Sequence, residues 1–126
     1  MKIDVSIGEV VDKLTILSIK IDKFKNPDKL ANVKKEYEIL STEIKQTGIA
    51  PDSSEFIALK KVNQKLWHIE DAIRVKESKK EFDEEFIELA RSVYFINDER
   101  SEIKKQINLK YNSGLIEEKE YVNYKG

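Results

Sequence analysis

Apolar side chains recur along this chain at alternating steps of three and four residues, the spacing that keeps one face of an α-helix apolar. Four such stripes can be followed. The first is Ile7, Val10, Leu14, Leu17, Ile21, Phe24, and the second is Leu30, Val33, Tyr37, Leu40, Ile44. The third carries Phe56, Leu59, Leu66 and Ile73, with Val62 and Ile69 on one flank and Asn63 and Glu70 on the other. The fourth runs Phe82, Phe86, Leu89, Val93, Ile96, Ile103, Ile107. One slot of the fourth stripe is not apolar: it holds Arg100, at the end of the run Asn97-Asp98-Glu99-Arg100. A guanidinium in a core slot must be paired, reach water, or sit in a site.

Punctuation places the helix ends. Ser6 followed by Glu9 is a capping box, and Asn26-Pro27 supplies a cap and a first-turn proline. Ala50-Pro51-Asp52 makes the central turn, with Asp52 and Glu55 as a second capping-box-like pair. Phe82 and Phe86 are placed as a hydrophobic staple around the start of the last helix, and Asn112-Ser113-Gly114 ends it. These signals predict helices over about 7–24, 27–46, 53–78 and 83–111, with a tail at about 115–126. The tail is acidic, then aromatic, and is expected to dock rather than fold alone. Ile3 and Val5 alternate with polar residues, which allows a short strand.

The predicted fold is all-α: a four-helix antiparallel bundle, in one domain, with two longer C-terminal helices and a short C-terminal tail. The longer pair leaves an overhang that must be solvated, covered by the tail, or paired with a second subunit. The first helix also presents Ile16 and Ile19 nearly opposite its main stripe. A helix apolar on two faces is either central or part of an interface. Ile16 and Ile19 are therefore the candidate interface of an expected homodimer.

Composition narrows the function classes. A chain of 126 residues fits one domain and buries enough surface to fold without a disulfide or metal. No cysteine is present, which removes disulfides, thiolate zinc sites and cysteine nucleophiles, and agrees with a reducing compartment. Charged residues make up 37% of the chain yet nearly cancel, to a formal net charge of −1. That balance argues against a nucleic-acid partner, which calls for a basic excess on one face. The pairs Lys34-Lys35, Lys60-Lys61, Lys79-Lys80 and Lys104-Lys105 are scattered and interleaved with Glu. No apolar run is long enough to span a membrane, and Met1-Lys2-Ile3-Asp4 leads straight into a capped helix without a signal-peptide core. A cytoplasmic protein is expected.

Candidate chemistry centres on six polar residues. Arg100, with Asn97 one turn before it, could line an anion-binding cleft; the competing reading is a structural ion pair with Glu70. Asp12 and Lys13 interrupt the most apolar helix, either to meet a ligand or partner or as a solvated face near its start. Glu70-Asp71 and Arg74 could form an acid/base site with Arg100, or serve as surface charge pairs. His68 is the only histidine, and Lys65 stands where a bundle di-iron motif needs Glu. Trp67 and Tyr94 read as core aromatics with a polar tip.

Glu84-Glu85 with Glu88 are similar to the magnesium-binding carboxylates of all-helical nucleotide pyrophosphohydrolases, but the acidic pair required on a following helix is missing. They read as acids of a first helical turn. There is no phosphate-cradling glycine loop, nucleophile elbow or zinc spacing. No catalytic residue, metal or cofactor is expected. The favoured function is a non-catalytic protein–protein interaction or scaffold module. The alternative is a site or enzyme within the bundle for a phosphate- or sugar-containing ligand. That alternative requires Asp12, Lys13, Glu70, Arg74, Asn97 and Arg100 to converge on one concave pocket.

A family resemblance spans nearly the whole chain, in order. It rests on Ser6-Ile7-Gly8-Glu9 with Asp12 to Leu17 and Ile19-Lys20, then Leu30 to Val33 with Glu36-Tyr37, then Leu66 to Arg74. It continues through Phe86 to Tyr94, Asn97 to Arg100, and Ile116 to Lys119. These segments resemble a family of small bacterial and phage proteins of unknown function. The resemblance implies no chemistry of its own. It implies company with glycosyltransferase-like or tetratricopeptide-repeat proteins.

Overall fold

The computed structural model describes Met1–Lys125, so the last position of the tail lies outside the described residues. Four helices form: α1 (Ile7–Lys23), α2 (Pro27–Ile44), α3 (Ser54–Ser78) and α4 (Glu84–Lys110). A single 3-10 turn, Lys45–Thr47, follows α2 and closes at Gly48, whose φ of 80° suits glycine. The described residues contain no strand, so Ile3 and Val5 lie in exposed, irregular chain.

Most of the predicted caps form. The Ser6 hydroxyl accepts from the Glu9 N–H, but Glu9 does not reach back; its carboxylate goes to Lys104 instead. Asn26 caps α2, accepting from the N–H groups of Asp28 and Lys29. The cap of α3 is Ser53 rather than Asp52: its hydroxyl accepts from Phe56 N–H, the donor that Asp52 sits one residue too early to take. Asp83 caps α4, and the Phe82 and Phe86 rings meet edge to face at 5.3 Å. With Asp83 as the cap, Phe86 is the third helical residue and not the fourth, so this contact falls one residue short of the expected staple. At this hairpin tip Lys76 gathers Asp83 (2.8 Å), Glu85 (3.1 Å) and Glu81 (3.3 Å), and these hydrogen bonds raise its pKa well above the ordinary lysine value.

Helix α1 is the centre of the fold. It packs against α2, α3 and α4, whereas the α2 backbone approaches only α1. Short connections make the successive helices antiparallel. The core gathers at one end, where Val11 and Leu14 of α1 meet Ile44, Ile49, Phe56, Leu59 and Ile107. Because α1 is enclosed from three sides, both of its apolar faces are used inside the chain. Ile19 is 2% exposed and is therefore not the free interface residue expected; Ile16 is half-buried at the edge of a cleft. The central-helix explanation of the two faces is the one that holds.

The length mismatch is present: α3 and α4 have 25 and 27 residues, against 17 and 18 for α1 and α2. Phe24, just beyond α1, packs on Trp67 with ring centroids 6.4 Å apart, and above that level the α3–α4 hairpin continues without α1. From Trp67 to Ser78 the free part of α3 is roughly 17 Å long. Tyr94 belongs to this region and is 40% exposed, so it is not the core aromatic its position in the sequence suggests.

Candidate functional site

The side chain that organises the polar centre is Asp12. It sits on α1 between Val11 and Thr15 and is 1% exposed, so it is no part of a solvated face. Its carboxylate is matched from three directions. Arg100 of α4 donates Nε–H to Oδ1 at 2.9 Å and Nη2–H to Oδ2, a bidentate pair. Asn63 of α3 donates Nδ2–H to Oδ1 at 2.8 Å and also to Thr15 Oγ1 at 2.8 Å. The Thr15 hydroxyl in turn donates to the Asp12 carbonyl at 2.7 Å. No buried side-chain polar atom among the described residues is left without a partner.

This network ties α1, α3 and α4 at one level. Arg100 pairs with Asp12, not with Glu70. It projects from the α4 face turned toward α1, one turn before Lys104, while Glu70 sits exposed along a cleft. The Asp12 hydrogen bond raises the Arg100 pKa above its already high value, so the guanidinium stays charged throughout the useful pH range. Lys104 extends the network: its ammonium lies 2.7 Å from Glu9, 3.4 Å from Glu117 and 4.0 Å from Asp12.

Of the six polar residues singled out, four line one cleft. Glu70 and Arg74 of α3 face Asn97 and Arg100 of α4 across a space of about 540 Å³, floored by Ile16, Ile19, Leu66 and Trp67. Asp12 lies just behind Arg100. Lys13 does not converge; it turns to α2 and pairs with Glu36 at 2.8 Å. His68 is exposed.

A larger cavity of about 860 Å³ lies on the other side of Arg100, which lines both spaces together with Asn97. Its outer wall is the tail, with Glu117, Lys119, Tyr121, Val122 and Tyr124. These residues were missed because an extended tail carries no periodicity; the run of acids and tyrosines was the only signal. The Tyr124 ring packs edge-on against Tyr94 (4.6 Å) and Phe95 (5.0 Å), and its hydroxyl donates to Asp98.

Two titrations bear on how the tail is held. Desolvation, then the hydrogen bond to Asp98, pushes the Tyr124 phenol up to about 12. A folded-state value above the unfolded one means that this docking contribution is whole below pH ~10 and is lost as pH rises through the folded value. The Glu117 carboxyl is held below its ordinary 4.5 by Lys119 and also by Lys104, against an opposing desolvation effect. That contribution is present above 4.5 and disappears as pH falls through the depressed folded value. The tail should therefore stay docked across neutral pH and release at both extremes while the helices persist. NMR of the Tyr124 ring across a titration tests this; ring shifts that change only when the helices melt would contradict it.

No helix among the described residues is long and apolar enough to cross a membrane. No curated protein and no solved structure matches this chain at a significant level. The sequence profile of one family, described as a family of unknown function (DUF6165), matches residues 1–124, and the chain belongs to that family.

Proposed function

We propose that this protein is a non-catalytic interaction module that works through the free part of the α3–α4 hairpin, and that its first partner is a second copy of itself. The observation that carries this is the lack of burial there. None of residues 67–99 is buried, although the two helices carry Ile69, Ile73, Phe86, Leu89, Val93 and Ile96 in stripe positions. Val75 and Ile87 are each 52% exposed and Phe82 is 56% exposed. A two-helix layer cannot cover its own apolar face, and the stable solution adds a further layer. Two hairpins related by a two-fold axis supply one to each other and complete a four-helix bundle.

The polar centre described above supports the same reading. Its charged groups are matched to one another, as in a structural lock, and no nucleophile–base pair stands among them. Light scattering is expected to return a dimer mass. Leu89→Glu places a charge on the stripe face of the proposed seam without touching the buried core, and should raise the dimer dissociation constant at least about tenfold, with helix content kept. A monomer at every accessible concentration would exclude self-pairing.

A further inference from the structure

The tail forms an arch over α4. It turns back at Asn112, which adopts the left-handed conformation at φ 53°, and Ser113 N–H donates to the Asn108 carbonyl at 2.9 Å. It is pinned at Glu117 by Lys104 and at Tyr124 by Asp98. Seven residues of extended chain reach up to about 23 Å. The two pins, six residues apart on α4, are only about 9 Å apart along the helix axis. The surplus chain must bow outward, and the 860 Å³ cavity is the space beneath it. That volume suits a drug-sized molecule rather than an ion.

The lining chemistry selects the ligand class. Three cations, Arg100, Lys104 and Lys119, face three carboxylates, Glu9, Asp98 and Glu117, and buried Asp12 stands behind Arg100. Each cation is already engaged: Arg100 by Asp12, Lys104 by Glu9 and Glu117, Lys119 by Glu117 at 2.8 Å. A phosphate would find no uncompensated positive charge, since each cation already faces a carboxylate. Neutral hydrogen-bonding capacity does remain. The guanidinium has five N–H groups, and Asp12 takes two of them. Asp98 receives Tyr124 and Lys125 on Oδ2, leaving Oδ1 as an acceptor. The Asn97 amide and Ser101 hydroxyl add donors and acceptors. Tyr121, 70% exposed, supplies an aromatic ring on the arch.

We propose that this cavity binds a neutral sugar. Asn97, Asp98, Arg100 and Ser101 exchange hydrogen bonds with its hydroxyls, and the Tyr121 ring covers its C–H face. Interleaved donors and acceptors beside an aromatic surface, with no net charge, match a polyhydroxylated ring. This site adjoins the hairpin at Tyr94, Asn97 and Asp98, on the side of α4 that the tail covers, and its test reads binding rather than mass.

Saturation-transfer NMR and calorimetry on the full chain, with maltose, cellobiose, lactose and diacetylchitobiose as probes and adenosine and AMP as comparators, decide the question. At least one disaccharide is expected to bind, and Tyr121→Ala, at an exposed position, should weaken it about tenfold with the melting temperature unchanged. The proposal is overturned if none of the four disaccharides binds at millimolar concentration. It is also overturned if adenosine or AMP binds more tightly, or if Tyr121→Ala leaves the affinity intact.

Discussion

Replacing Arg100 by Met should cost about 3–5 kcal/mol of stability, because the charge left behind is buried. Asp12 is 1% exposed and would keep only the Asn63 amide at 2.8 Å as a close side-chain donor. Lys104 cannot readily replace the guanidinium: it stands 4.0 Å away and is held by Glu9 and Glu117. The reverse substitution should be milder. In Asp12→Asn the stranded group is Arg100, whose side chain is 29% exposed and can turn toward either flanking cavity and water. A cost of about 1–3 kcal/mol is expected there, for lost charge-assisted hydrogen bonds. Urea unfolding of the two variants measures this asymmetry. Equal losses, or a smaller loss for Arg100→Met, would mean that Asp12 is not the group whose burial depends on the pair.

The reason Arg100 could be flagged but not partnered from sequence lies in what each signal encodes. A polar residue in an apolar stripe is a local fact about one helix. Its partner is set by the register between helices that lie 88 residues apart in the chain, and no local spacing records that register. Glu70 and Asp12 were both carboxylates on neighbouring helices, and only the packing distinguishes them. One clue was nevertheless in the sequence. Asp12, Ile16 and Ile19 follow each other at steps of four and three. If the second apolar face of α1 is buried because α1 is central, Asp12 lies on that face and must be paired. Reading Ile16 and Ile19 as an outward interface hid this.

Helix positions were legible for the opposite reason. Caps such as Ser6, Asn26 and Asp83 act within one turn of the donors they satisfy, and the stripes repeat within each helix. The uneven lengths of the helices also came through, since length is a property of each element alone. The route of the tail did not. Its anchors on Lys104 and Asp98 are single contacts made by an extended segment, and extended chain has no apolar period to report which face it covers.

A second substitution should act where α1 meets α4 most closely. Gly8→Ala is expected to destabilise the fold even though alanine is the better helix former. A Cβ on Gly8 would lie 2.6 Å from the Lys104 carbonyl oxygen and 3.0 Å from Asn108 Oδ1. The first obstacle is backbone and cannot rotate aside. The second belongs to a side chain that is 1% exposed and accepts the Gly8 N–H at 2.6 Å. Relief therefore requires the start of α1 to lift off α4, which also strains the bond from Ile7 N–H to Ser113 Oγ at 3.0 Å. Overpacking of this kind costs about 1–3 kcal/mol, and the helix-propensity gain of alanine over glycine returns at most about 1. Thermal melting should show a drop of several degrees, while Gly114→Ala, with nothing within 4 Å of the added carbon, should show none. A Gly8→Ala protein that melts with the wild type would mean that the two helices do not meet as closely as this. Asp12 lies one turn beyond Gly8 on the same helix, so lifting that end also pulls the carboxylate away from Arg100. The Gly8→Ala and Arg100→Met costs should consequently fall short of additivity in the double variant, the mark of two sites acting on one contact between α1 and α4.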